Sequence, residues 1–189
     1  MNRQHLFPSP VWQDQLDNKT ENDELIKIAY QMRDADPIGA DRSNVGGYHS
    51  VPFQNIPIIQ NHIMNMARLI VAEYGFEEEP EMQSAWFNIN GPNSVNSQHN
   101  HPQAFLSGVY HVKATEQSGP IRFHRNPSDA FIIQSMSTIK ELNQLNSPIA
   151  VVPAIPGQLL IFPAWLMHSV DPNKDEEDRI SIAFNISLQ

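Results

Sequence analysis

The chain has 189 residues, a mass of 21.4 kDa and a formal net charge of −9, which is the size of a single domain with its own hydrophobic core. Its acidic balance and its scattered lysines and arginines predict no nucleic-acid partner. Because cysteine is absent, disulfides and thiolate ligands are excluded, and a metal would be held by histidine or carboxylate side chains. No apolar stretch predicts a signal peptide or a membrane span, so we expect a cytoplasmic protein without a membrane partner.

The N-terminal part, about residues 1–78, is predicted to be helical and to contain one long loop. Apolar residues recur at helical spacing over residues 21–33, directly after Thr20, which is a suitable N-cap. A second helix is predicted from Pro57 to Gly75, with the proline in its first turn and the glycine as the C′ residue. Between them, residues 34–53 are rich in Gly, Pro, Asn and Ser and show no periodicity, which is typical of a functional loop.

Beyond residue 80 the pattern changes to short strands. Segment 128–145 is the exception, where we predict a loop with one helical turn at about 138–145. Helices followed by strands predict an α+β domain whose double-stranded β-helix, or jelly-roll, core spans about residues 80–189, with the N-terminal helices packed on one sheet. The predicted strands are rich in β-branched or aromatic residues and bounded by Gly, Pro, Asn or Ser: Trp86–Ile89, Phe105–Val112, Ile121–Phe123, Ile149–Val152, Leu159–Phe162 and Ile180–Leu188.

Two segments carry histidines in a pattern that suits a metal. His99 and His101 form a His-x-His pair, and in an extended segment both rings lie on one face, as two ligands of one metal require. The pair alone is weak support, because a chain with eight histidines contains such a pair by chance fairly often. His168, which follows a predicted buried strand and a turn at Pro163, supplies a third imidazole from a distant segment.

The last predicted strand places a cation beside these histidines. Its apolar residues share one parity, whereas Arg179 and Ser181 share the other and therefore project together. An arginine and a hydroxyl side by side can bind both oxygens of a carboxylate. The alternative is a surface arginine that pairs with the acidic residues between 175 and 178, since exposed ion pairs are common and weak.

The order of these motifs resembles the iron(II)/2-oxoglutarate-dependent dioxygenases. The chain is more similar to small uncharacterised oxygenases of marine bacteria and phages than to the prolyl hydroxylases, and residues 43–50 also resemble that subgroup. The resemblance covers about residues 40–189. It rests on five motifs in order: the His-x-His pair, the strand Leu106–His111, the segment Gly119–Phe123, the run Pro156–His168 and the triplet Arg179–Ser181.

This resemblance implies a hydroxylase that couples decarboxylation of the cosubstrate 2-oxoglutarate to oxidation of a substrate C–H bond at Fe(II). His99 and His168 match the metal ligands of the family. Arg179 matches the residue that pairs with the C5 carboxylate of 2-oxoglutarate, and Ser181 matches its hydroxyl helper. Three side chains on neighbouring strands are expected to line the cosubstrate pocket: His111, Tyr110 and Asn88.

Substrate contacts are predicted for a further set of residues. The Gly-rich segment 37–52 is a candidate lid that would exclude water during the reaction. We expect a small-molecule or peptide substrate, which the sequence does not identify, and a homodimer is compatible with the sequence. The candidate side chains for substrate contact are His49, Trp86 and His124.

His101 departs from the pattern of the wider family, which has Asp or Glu at this position. A third histidine would be a neutral ligand and would leave the iron with one more unit of positive charge, although all-histidine sites still bind Fe(II). The resemblance to the subgroup supports His101 as a ligand. The alternative is that His101 faces away and leaves a coordination position open.

Two other functions are compatible with the motifs. A cupin-type metal protein has the same jelly-roll architecture, but it usually has a glutamate shortly after His-x-His, and none occurs here between His101 and Glu116. A cupin also has no need of Arg-x-Ser after the last histidine. A non-catalytic β-sandwich with a structural metal is the second alternative, although closed structural sites fill every coordination position and three ligands do not.

Overall fold

The computed structural model describes residues 2, 4, 6–16, 19–56, 58–129 and 138–189. Within these residues the chain forms two long helices and two antiparallel sheets. In chain order the elements are β1 (Trp12–Gln15), α1 (Lys19–Ala35), β2 (Asn44–Val45), β3 (Tyr48–His49), α2 (Gln60–Tyr74), β4 (Pro80–Asn90), β5 (Val95–His99), β6 (Leu106–Lys113), β7 (Ile121–His124), β8 (Ile149–Val152), β9 (Gln158–Pro163), β10 (His168–Val170) and β11 (Arg179–Leu188).

The strands form a six-stranded sheet in the order β1-β9-β6-β11-β4-β3 and a five-stranded sheet in the order β2-β5-β10-β7-β8. β11 is hydrogen-bonded to β4 on one side and to β6 on the other, so it lies inside the larger sheet. The two sheets face each other, and Phe162 of β9 packs edge-on against Phe123 of β7 with ring centroids 5.0 Å apart. Most of the predicted site residues meet in the space between the sheets.

The opposite face of the six-stranded sheet packs on the helices. Leu25 of α1 and Ile63 of α2 are fully buried in one apolar cluster with Phe87 of β4 and Ile182 of β11. At 0% exposure, a leucine or isoleucine contributes about 1.5–3 kcal/mol through the hydrophobic effect. The helices therefore fix the position of the sheet from outside and leave its inner face for other residues.

Both helices agree with the sequence pattern. α1 extends two residues beyond the predicted range at each end. α2 ends at Gly75, which has φ 76° and donates its N–H to Ala72 O at 3.0 Å, as a left-handed C′ glycine does. The predicted start at Pro57 lies outside the described residues, and the first helical residue is Gln60. Neither described helix is long and apolar enough to span a membrane.

The six predicted strands are present, but five others were missed. β4 is much longer than predicted, and the missed strands are β1, β2, β3, β5 and β10. They are short or polar, and they form because a neighbouring strand provides backbone hydrogen-bond partners. The local sequence pattern does not show that such a neighbour is present. The predicted helical turn at about 138–145 is not found in the described part of that segment, which forms only a turn near residues 144–146.

Candidate metal centre

Three histidines meet between the two sheets. His99 ends β5, His101 follows two residues later, and His168 begins β10 directly opposite His99 in the strand pairing. One ring nitrogen of each histidine lies within 4.8 Å of the others, a spacing that suits three ligands of one ion. Among the described residues, no other such group of histidines and carboxylates is found. The alternative in which His101 faces away is therefore wrong.

Backbone carbonyls orient two of the three rings. His99 Nδ1 lies 2.7 Å from Ser97 O, and His168 Nδ1 lies 2.8 Å from Leu166 O. Because a carbonyl can only accept, Nδ1 carries the proton in each ring, and Nε2 keeps its lone pair. A second hydrogen bond of this kind is what usually fixes the tautomer of a metal-binding histidine.

Burial keeps the three rings neutral. Burial, together with a smaller contribution from neighbouring histidines, lowers the pKa of His168 to about 3 and that of His101 to about 4. Burial also lowers the pKa of His99. A neutral imidazole is the form that binds a metal. At neutral pH an incoming ion therefore displaces no proton from this site.

Arg179 is the cation of the same cavity. Its side chain is 2% exposed, and its Nη1 donates to Gly119 O at 2.5 Å. Burial lowers its pKa to about 10, so it remains protonated at neutral pH. Among the described residues no carboxylate forms an ion pair with it. A buried cation with only a carbonyl partner is costly, which suits a site that binds an anion.

The alternative pairing of Arg179 with its acidic neighbours is thus wrong. Those carboxylates have other partners: Asp175 accepts from Thr115 at 2.6 Å, and Glu177 and Asp178 pair with Lys113 and Arg33. The carbonyl that receives Arg179 comes from Gly119, where a Cβ would lie only 1.9 Å from Asp171 O. Glycine is therefore required at this position for the backbone to reach the arginine.

Further polar side chains line the cavity between the histidines and Arg179. Ser181 and His111 are opposite each other on β11 and β6, and Asn88 is opposite Ser181 on β4. His111 is 4% exposed, and within the described parts of the chain neither of its ring nitrogens has a hydrogen-bond partner, nor does Asn88 Oδ1. Burial lowers the pKa of His111 to about 3. Buried polar atoms normally have partners, so these atoms fit a polar ligand held next to Arg179.

Two predicted residues lie elsewhere. Tyr110 points to the helical face of the sheet, where its hydroxyl donates to Asn22 Oδ1 at 2.7 Å, because adjacent strand residues face opposite sides. His124 lies on the outer face of the smaller sheet, with its Nε2 2.8 Å from Ser169 Oγ. Neither residue lines the cavity, so the predictions that placed them at the site are corrected.

His49 and Trp86 do lie beside the metal centre. Trp86 lines the cavity, and its ring centroid is 5.8 Å from that of His101. His49 stacks on the other side of Trp86 at 5.3 Å with an interplanar angle of 11°, and its Nδ1 donates to Ser50 O. Trp86 therefore lines the cavity directly, whereas His49 contacts the Trp86 ring and is not among the lining residues.

The predicted lid is attached to both sheets. β2 pairs with β5 of the smaller sheet and β3 pairs with β4 of the larger one. Ser50 Oγ accepts from Phe87 N at 3.0 Å, and Ser94 Oγ donates to Gly46 O at 2.8 Å. Opening the segment as a lid would break these bonds. Ser43 of this segment and Asn96 of β5 line the cavity and were missed, because single polar residues in loops and short strands carry no sequence signal.

The sequence profile of one protein family, described as “Putative 2OG-Fe(II) oxygenase”, matches residues 84–185, more than half of the chain. The matched range contains the three histidines, Arg179 and Ser181. The comparison with curated proteins gave no match.

Solved structures share the fold. A prolyl-4-hydroxylase from Pseudomonas putida has a TM-score of 0.63 at 14% identity, over 96% of this chain and 94% of that chain. HygX from Streptomyces hygroscopicus, with nickel, 2-oxoglutarate and hygromycin B bound, has a TM-score of 0.62 at 9% identity, over 95% of this chain and 83% of that chain. The viral collagen prolyl hydroxylase vCPH from Paramecium Bursaria Chlorella virus-1, a 2OG complex, has a TM-score of 0.57 at 13% identity, over 92% of this chain and 94% of that chain. The common fold is the jelly-roll of these oxygenases.

Proposed function

We propose that this chain, which belongs to the 2OG-Fe(II) oxygenase family, holds its iron(II) with His99, His101 and His168 and its 2-oxoglutarate with Arg179. The observation that carries the proposal is the presence, in one cavity, of a neutral histidine triad and a buried arginine that has no carboxylate partner among the described residues. When bound, iron(II) and 2-oxoglutarate supply the oxidation: O2 gives one oxygen atom to the succinate formed on loss of CO2 and one to a substrate C–H bond.

The residues of the chain position these groups. The carbonyls of Ser97 and Leu166 hold the rings of His99 and His168, so that each Nε2 faces the ion. Arg179 would pair with the C5 carboxylate of the cosubstrate through the N–H groups that do not contact Gly119. The carboxylate would supply the negative charge that Arg179 lacks within the described protein. A dicarboxylate therefore fits the cavity better than a neutral molecule does.

His111, Ser181 and Asn88 would complete the cosubstrate site. The neutral His111 ring offers one N–H donor, and its nitrogens have no partner among the described residues. Ser181 offers a hydroxyl and Asn88 its amide Nδ2 on the same face. Each of these three groups would donate a hydrogen bond to an oxygen of the cosubstrate, which can only accept.

The surroundings would exclude water from the reacting atoms. Apolar side chains such as Ile121 and Phe162 line part of the cavity, and Trp86, on which His49 stacks, lines another part. The helices on the outer face of the larger sheet would keep β4, β6 and β11 in register.

We also propose a small molecule or a peptide side chain as substrate. We assign the chain to the small oxygenases of marine bacteria and phages because of residues 43–50.

The visible absorption difference spectrum of the protein with Fe(II) and 2-oxoglutarate, recorded without oxygen, tests this function. We expect a weak metal-to-ligand charge-transfer band that is lost in His168→Ala and weakened in Arg179→Ala. His62→Ala is the matched control, because His62 lies on α2 and pairs with Asp14 at the surface, and it should leave the band unchanged. A band that survives His168→Ala, or bound iron without any band, would contradict the proposal and favour a cupin-type protein.

A further inference from the structure

The cavity has an unusual balance of charge. Arg179 carries the formal charge among the described residues that line it, and the remaining polar lining residues are neutral histidines, serines and asparagines. The nearest carboxylate that acts on Arg179 is Asp171, and both of its oxygens are used by Arg122, at 2.6 Å from Nε and 2.5 Å from Nη2. No lining carboxylate in the described parts of the chain can compensate a cation placed between the sheets.

The proposed ligands leave one positive charge uncompensated. Iron(II) brings two positive charges and Arg179 brings a third, whereas 2-oxoglutarate brings two negative charges. His99, His101 and His168 add none, because an imidazole binds a metal ion in its neutral form. The loaded site therefore has a net charge of one positive unit.

A buried charge without a partner is expensive. A low-dielectric interior strengthens the attraction for an opposite charge and offers little screening. The next group that enters the site is the substrate. A substrate that carries a negative charge would thus be favoured over a neutral one of the same shape.

We propose that the substrate of this enzyme carries an anionic group, such as a carboxylate, which binds in the cavity beside the metal centre and compensates this charge. The proposal rests on the proposed function above, since it counts the charges of iron(II) and 2-oxoglutarate. It concerns the class of substrate and not the ligands of the metal.

Neutral hydrogen-bonding groups are available for such an anion. Asn96 lies three residues before His99 on β5, and its Nδ2 donates to Ser43 Oγ at 3.3 Å. Both residues line the cavity next to the predicted lid, whose strands β2 and β3 pair with the smaller and the larger sheet. Arg42, next to Ser43 in the chain, is exposed and is not among the residues that line the cavity.

Acetate and acetamide are matched probes, because they have nearly the same shape and differ in charge. Each is titrated by calorimetry into the wild-type protein loaded with Fe(II) and 2-oxoglutarate, without oxygen and in chloride-free buffer. We expect acetate to bind at least about tenfold more tightly than acetamide, which is about 1.4 kcal/mol. Equal affinities, or tighter binding of acetamide, would overturn the proposal.

Two variants locate the effect. His101→Asp adds one negative charge at the metal, so the preference for acetate should fall to near unity; a preference that persists there would overturn the proposal. Arg42→Gln removes the exposed cation outside the cavity, and the preference should remain. If it disappears in Arg42→Gln, acetate binds at the surface and the proposal fails.

Chloride, titrated in parallel, distinguishes a substrate group from a solvent counter-ion. We expect chloride to bind more weakly than acetate, because it makes no directed hydrogen bonds with Asn96 or Ser43. Equal affinity for chloride would overturn the assignment to the substrate. These outcomes are separate from a failure of the proposed function, in which the wild type binds no iron or gives no absorption band with 2-oxoglutarate; that result would remove both proposals.

Discussion

The two faces of β11 differ in the side chains that they bury. On the helical face, Ile180, Ile182 and Phe184 are completely buried in the apolar cluster that includes α1 and α2. On the inner face, Arg179 and Ser181 are 2% and 5% exposed, yet they are polar and line the cavity. The side chains are therefore buried to a similar extent on both faces. They differ in their partners, because the apolar ones pack within the protein and the polar ones face the cavity.

This difference separates stability from function. Apolar side chains on the helical face find all their partners within the protein and stabilise the fold. Polar side chains on the inner face are left without partners, as for both nitrogens of His111 and for Asn88 Oδ1. Such groups lower the stability of the unliganded protein and gain their partners only when a ligand binds.

The largest effect is expected for a cavity on the helical face. Phe184→Ala should lower the free energy of unfolding by about 3–5 kcal/mol, because the ring is fully buried and covers Gly108, where a Cβ would lie 2.3 Å from it. Urea denaturation measures this loss. The affinity of the folded protein for Fe(II) should stay within about threefold of the wild type. A large loss of metal affinity with little loss of stability would contradict the division between the faces.

The pH dependence of stability should come from the inner face. The folded-state pKa of His168 is about 3, below its ordinary value of 6.5, so the unfolded chain binds a proton that the folded chain does not. The stabilisation is complete above pH 6.5 and is lost as the pH falls toward 3. In that window the free energy of unfolding should fall by about 1.4 kcal/mol per pH unit for this histidine.

Metal-free wild type and His168→Gln, unfolded in urea at several pH values, test this dependence. Carboxylates titrate equally in both proteins, so their contribution cancels in the difference between the two slopes. The slope of the variant should be smaller by about 1.4 kcal/mol per pH unit. Phe184→Ala should instead keep the wild-type slope, because Phe184 packs among apolar side chains. Identical slopes for His168→Gln and wild type would show that His168 does not stay neutral in the folded protein.

The smallest effect is expected for Asn88→Ala. Its Oδ1 has no partner in the part of the chain that the structure describes, so its removal should change the free energy of unfolding by less than about 1 kcal/mol. The same change should weaken binding of 2-oxoglutarate by about fivefold to tenfold, as for the loss of one hydrogen bond. Calorimetric titration of the metal-loaded protein with 2-oxoglutarate measures this. A loss of stability comparable to that of Phe184→Ala would place Asn88 among the residues that hold the fold.

Local pattern was sufficient for the helices, for the longer strands and for the shared face of Arg179 and Ser181. Period-two alternation in β11 predicted that Arg179 and Ser181 project away from the isoleucines, and the structure has them in one cavity. The same rule should have excluded Tyr110 once His111 was placed at the site, because adjacent strand residues cannot share a face. His124 was misplaced for the same reason, since Phe123 occupies the inner position on β7.

The sequence by itself determined which side chains alternate along each strand, because that depends only on backbone geometry. Tertiary structure alone decided that His99 and His168 are opposite each other, because this pairing joins strands that are far apart in the chain. It also decided that His101 faces the other two histidines and that Arg179 has a carbonyl instead of a carboxylate as its partner. Such contacts depend on strand order and register, which are set by the packing of the whole domain and not by any single segment.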